Sequence, residues 1–120
     1  MDRRYIIIGI TAFVFLFVSC GQKHKAVNVV ADFIERYAQY PDEMKEREFE
    51  HFDSTKVISD SLVLAMQQRG NELYKSPIPY AVRTSGRMLY HIRMSYVYKG
   101  DTLWQTFYLD ETLEHVVAVK

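Results

Sequence analysis

The stretch MLYHIRMSYVYKGDTLWQTFYL, residues 88–109, sets the architecture of this chain. Along it Met88, Tyr90, Ile92, Met94, Tyr96 and Tyr98 alternate with more polar residues, the period-2 signature of a half-buried strand. Gly100-Asp101 predicts a two-residue hairpin turn with glycine first. That register places Tyr98 opposite Leu103, Tyr96 opposite Gln105, Met94 opposite Phe107 and Ile92 opposite Leu109. Asp110 to Leu113 turns the chain again, and Glu114 to Val119 returns as a last strand with Val116 and Ala118 on one face. Upstream, Tyr80 to Thr84 reads as a strand and Ser85-Gly86 as a turn. Together these segments predict an antiparallel meander of three to four strands with one buried face.

The residues before it carry helical spacing. In Ala26 to Tyr40, Val27, Val30, Ala31, Ile34, Tyr37 and Ala38 recur at a period near 3.6, and Ala26, Val29, Phe33 and Tyr40 widen the apolar face. Such a helix lies across a sheet, and Pro41 ends it by forcing Tyr40 out of the helical region. Pro41 to Phe52 is dense in charge with Met44, Phe49 and Phe52 as anchors, and reads as a short, mostly solvated helix. Thr55 to Ile58 reads as a short strand. Ser59 then caps a second amphipathic helix, with Asp60 in its first turn, Leu62, Ala65, Met66 and Leu73 as its apolar side, and Gly70 weakening or ending it. The expected fold class is α+β, with N-terminal helices packed on one face of a C-terminal antiparallel sheet.

The chain has 120 residues with fifteen basic and fifteen acidic side chains. A nucleic-acid binder normally carries a basic stripe; no such stripe is visible, so nucleic acid is not an expected partner. The single cysteine excludes an internal disulfide.

That cysteine closes an N-terminal segment of distinct character. Asp2-Arg3-Arg4 is followed by an apolar run from Tyr5 to Val18, broken only by Gly9 and Thr11, and then by Ser19-Cys20. A charged start, an apolar core and a small residue at the cleavage point read as an export signal. The segment resembles the signal of bacterial lipoproteins, with Phe17 where that family usually has leucine. The resemblance implies removal of residues 1–19, acylation of Cys20 and lipid as a partner. Residues 20–25 then form a lipidated tether and residues 26–120 a single domain. Gly21 to Lys25, taken as extended, reaches about 17 Å at ~3.4 Å per residue, with Lys23 and Lys25 near the headgroups. The acid-rich segment that follows the cysteine in many surface-displayed Bacteroidetes-type lipoproteins is missing, which by the same resemblance implies a domain in the cell envelope facing the periplasm. The rival reading, a retained membrane helix, ranks second because the uninterrupted run is shorter than the ~20 residues a span requires.

The expected register also fixes the second face of the sheet. Val97 and Trp104, flanked by Val117 and Val119, form an apolar end; His91, Arg93, Tyr108, Asp110 and His115 form a polar one. If helices cover only the first face, the apolar end is wet, which marks Val97, Trp104, Val117 and Val119 as a candidate interface for an envelope protein or for a homodimer packed sheet to sheet. The order of elements resembles the NTF2-like superfamily, with a cystatin-like arrangement as the runner-up. The NTF2-like resemblance implies a pocket between helices and sheet, walled by Tyr37, Tyr90, Tyr96, Tyr98, Gln105 and Phe107. The competing reading makes the same residues ordinary core, with Gln105 satisfying the buried Tyr96 hydroxyl.

Signals for chemistry are sparse. His51-x-Asp53 offers two ligands where a metal site needs three or four, and His91, Asp110 and His115 converge only if the assumed register holds. No serine lies in a nucleophile-elbow sequence, and no glycine-rich phosphate loop occurs. The function expected from the sequence is therefore a membrane-anchored, non-enzymatic binding or interaction module with no cofactor. The alternative is a small-ligand pocket protein or a degenerate enzyme.

Overall fold

The computed structural model describes residues 21–55, 59–69, 73–76, 78–80 and 88–120. Its core is a four-stranded antiparallel sheet in the order β1-β2-β3-β4, with β1 at Lys45–Thr55, β2 at Leu89–Tyr98, β3 at Asp101–Leu109 and β4 at Val116–Val119. Helix α1 is helical over residues 21–37, and α2 spans Asp60–Gln68. The class is α+β, as the sequence predicts.

The β2–β3 hairpin carries the expected alternation but turns one residue earlier than predicted. Lys99 and Gly100 both have positive φ, 51° and 84°, the conformation of the mirror-image turn whose twist matches that of the strands. Asp101 therefore stays in the ladder opposite Tyr98. Every cross-strand partner slides by two positions: Tyr96 faces Leu103, Met94 faces Gln105, Ile92 faces Phe107 and His91 faces Tyr108. A slide of two keeps the parity, so the predicted faces survive while the predicted pairs do not.

Pro41 to Phe52 is not a helix. Pro41–Glu43 is a single 3-10 turn, and the charged residues that follow form β1, the longest strand. As an edge strand with an open outer face, β1 can place Glu48, Glu50 and Asp53 in solvent opposite Ser95, Arg93 and His91. Two register shifts, with Glu46 and His51 at φ of 52° and 55°, break its alternation. They let Arg47, Phe49 and Phe52 turn inward despite uneven spacing. Phe52 stacks on Tyr90 at 5.5 Å with the rings 6° from parallel. Bulges and charge also blunt the exposed edge against pairing with stray strands.

Helix α1 crosses the inner face on the stripe Ala26, Val30, Phe33 and Ile34, packed with Ile92, Met94, Tyr96, Phe107 and Leu109. Each fully buried side chain of this size contributes roughly 1.5–3 kcal/mol. The helix extends N-terminally through 21–25, the residues expected as an extended tether. Five helical residues rise only about 7.5 Å, and Lys25 Nζ donates to Thr112 O at 2.8 Å. The helix ends before Tyr40, because residues 37–39 pair with 73–75: Gln39 N donates to Leu73 O and Lys75 N to Tyr37 O. No helix among the described residues is long and apolar enough to cross a membrane.

Helix α2 begins as expected, with the Ser59 hydroxyl accepting from Leu62 N. Its buried side is Val63 and Met66, whereas Leu62 and Ala65, expected inside, are exposed. It packs on the opposite face of the sheet from α1, against Leu89, Val117 and Ala118 beside Tyr108. A register shift between Tyr108 and Leu109 makes this possible. It sends Val116 to the α1 side, Val117 and Ala118 to the α2 side, and Val119 back to the α1 side. The predicted strand at Tyr80 to Thr84, the Ser85-Gly86 turn, Gly70 and most of Thr55 to Ile58 lie outside the described residues; Thr55 itself closes β1 and Tyr80 is irregular.

Candidate functional site

The candidate interface is divided by α2. Val117 is 1 % exposed beneath Val63 and Met66, and Val119 packs on the α1 side against Phe107. Val97 and Trp104 remain on the uncovered half of the outer face. Val97 is half-buried opposite Thr102, and Trp104 is 53 % exposed opposite Ser95. The Arg93 guanidinium lies 5.6 Å from the centre of the Trp104 ring, a cation–π contact between the two strands. Beside them stand the outward residues of β1, Glu48, Glu50 and Asp53. The open half of this face is therefore an indole and guanidinium bordered by a row of carboxylates.

The candidate pocket residues are mostly core. Tyr96 and Phe107 are buried at 1 % and 0 % exposure. Tyr90 and Tyr98 are half-buried at its margin. Gln105 is buried too, but it does not serve Tyr96: its Oε1 accepts from the Tyr74 hydroxyl at 2.6 Å. Burial, reinforced by the nearby Tyr96 and Tyr80 and opposed by Arg47, holds the Tyr74 phenol far above its ordinary pKa. Tyr74 was not a predicted site residue. The signal for it was Gln105 itself, since an amide on a buried strand face demands a partner.

His91 and Asp110 do not meet, because His91 faces Tyr108. Asp110 instead organises the β3–β4 turn. Its Oδ1 accepts from Glu114 N and His115 N at 2.9 and 3.2 Å, and its Oδ2 lies 2.8 Å from His115 Nδ1. Partial burial pushes the Asp110 carboxyl up, but hydrogen bonds from Glu114, His115 and Thr112 together hold it below its usual value. His51 and Asp53 are exposed on β1, and no three metal-ligating side chains cluster among the described residues. Cys20 lies outside the described residues.

Two surface clefts are formed by described residues. One, of about 340 Å³, runs between α1 and the β3–β4 turn, lined by Phe33, Tyr37, Glu114 and His115 and by Arg36, which pairs with Asp32 at 3.0 Å. Tyr37 is thus the one candidate pocket residue that borders either cleft. The other, of about 380 Å³, lies between the end of α2 and the segment around Tyr74, lined by Gln67, Arg69, Lys75, Ile78, Tyr80 and Lys120 among others. No family model, curated protein or solved structure matches this chain. The geometry of the molecule itself therefore carries the functional reading.

Proposed function

We propose that the protein is a lipid-anchored lipoprotein of the cell envelope, and that its domain is a non-catalytic module that docks onto a second copy of the chain through the open half of the outer sheet face. The observation that carries the docking is Trp104, the single tryptophan, held half-exposed under Arg93 on a face that α2 covers only at its other end. The second copy is the favoured occupant because the face is complementary to itself. A two-fold axis near Ser95 sets Arg93 and His91 of each copy towards the carboxylates of Glu48, Glu50 and Asp53 on the other. Acylation at Cys20 would confine the copies to one surface and raise their effective concentration.

The test is cysteine cross-linking in membranes. With the Cys20 thiol acylated, Ser95→Cys supplies the one free thiol. Oxidation is expected to give a disulfide-linked dimer of the chain, lost when Trp104→Glu is added. A cross-link to a chain of different mass would replace the second copy with another partner. No cross-link, or one indifferent to Trp104→Glu, would overturn docking through this face.

A further inference from the structure

The exposed apolar residues are unevenly placed. Among the described residues five large apolar side chains are exposed: Tyr40, Leu62, Leu64, Met88 and Trp104. Tyr40 follows the end of α1, and Trp104 belongs to the docking face opposite Ser95. The other three gather towards one end of the sheet. Leu109 pairs with Tyr90 and Thr55 with Leu89, so the end of β3, the end of β1 and the start of β2 coincide. Met88 immediately precedes β2. Helix α2 is entered from this end, since its first residue, Asp60, follows closely on Thr55, whereas its last turn borders Val119 and Lys120 further along β4. Leu62 and Leu64 therefore lie in the part of α2 nearest this end. The same end receives the start of α1, because Lys25 Nζ donates to Thr112 O of the β3–β4 turn at 2.8 Å. That helix is already formed at Gly21, the residue next to Cys20.

We infer that this end of the domain seats on a lipid bilayer, with Leu62, Leu64 and Met88 meeting the interfacial layer and the β2–β3 hairpin pointing away from it. The inference rests on the anchoring proposed above and not on the self-docking. A chain that enters the domain at Gly21 from an acylated Cys20 brings the start of α1 to the headgroups, and the Lys25 bond carries the β3–β4 turn with it. Exposed apolar surface at that end then has lipid as its nearest cover. Leucine and methionine gain by leaving water at the interface, and together they orient a domain that an acyl anchor alone leaves free to swivel. Charge does not select the lipid, because Lys23 and Lys25 border the same end as Glu111 and Glu114. The contact is apolar, so neutral lipid suffices. The hairpin tip stands about 33 Å away, the length of the ten residues of β2 at ~3.3 Å per residue.

The test is fluorescence quenching on the full-length protein in phosphatidylcholine vesicles that carry spin-labelled lipid. A bimane attached at Met88→Cys is expected to lose its emission to the quencher. One attached at Thr102→Cys, exposed at the hairpin end, should keep it. Leu62→Ser with Leu64→Ser, both at exposed positions, should abolish the quenching at residue 88 while leaving the melting temperature unchanged. Equal quenching at residues 88 and 102, quenching at 102 alone, quenching at neither, or quenching at 88 that survives the double serine substitution would each overturn the inference. The mass of the N-terminal peptide from the same vesicles reports the anchor separately. An acylated Cys20 beside any of those four results leaves the anchoring standing and removes only the seating. Trp104 lies opposite Ser95, well along β2 from Met88, so Trp104→Glu should leave the quenching at 88 unchanged, and failure of self-docking is read apart from failure here.

Discussion

Removing the Tyr74 hydroxyl tests how the inner layer is held together. Tyr74 and Gln105 are 3 % and 5 % exposed, and the 2.6 Å bond between them spans from the segment after α2 to the middle of β3. Tyr74→Phe keeps the ring packed on Phe33 but leaves the Gln105 carbonyl oxygen buried without its donor. An orphaned buried group of this kind costs about 1–3 kcal/mol. For a domain of this size each 1 kcal/mol lowers the melting temperature by roughly 4–8 °C. Gln105→Leu should cost a similar amount by stranding the Tyr74 hydroxyl. The two losses are not additive: with both polar groups gone, the Tyr74→Phe/Gln105→Leu protein should return to within about 1 kcal/mol of wild type, a coupling of a size seen for contacting residues. Urea unfolding at constant m reads all four proteins. Additive losses, or a Tyr74→Phe protein as stable as wild type, would refute the pairing as a structural tie.

Three further outcomes follow from local geometry. Gly100→Ala adds a Cβ that meets nothing within 4 Å, so its cost is purely that of φ at +84°; about 1 kcal/mol of destabilisation is expected in urea melts. The depressed Asp110 pKa means that its stabilisation is complete above the unfolded value near 3.9 and is lost as pH falls through the lower folded value. Asp110→Asn should therefore be less stable than wild type at neutral pH, with the gap closing below about pH 4; a gap independent of pH would contradict the turn-locking role. Trp104 emission should shift to shorter wavelength as protein concentration in the membrane rises, since docking removes water from the indole, and no shift on crowding would count against self-association.

Legibility of the fold depended on whether local pattern and tertiary packing agreed. The alternation from Tyr90 to Tyr98 is strict because those residues pack into the cluster under α1, so the inner side of the sheet is legible directly, whereas Met88, expected on the same face, lies just before β2 and is exposed. The turn slipped by one residue, since Gly100 suits either position of a two-residue turn and only the paired positive φ at Lys99 and Gly100 distinguishes them. β1 was hidden by its two bulges, which set Met44, Phe49 and Phe52 at spacings nearer a helix than a strand. In α2, Leu62 through Met66 are all apolar, so no face is singled out until β4 chooses Val63 and Met66. The same choice divides the candidate interface: α2 covers Val117, and the register shift beside it reverses the sides of Ala118 and Val119. Trp104 was found because its neighbours on β2 and β3 follow parity alone.

The most direct test of the anchored module is mass spectrometry of the N-terminal peptide from the native membrane fraction. The expected species begins at Cys20, lacks residues 1–19 and carries acyl chains on the cysteine. A peptide beginning at Met1 with an unmodified Cys20 would contradict it.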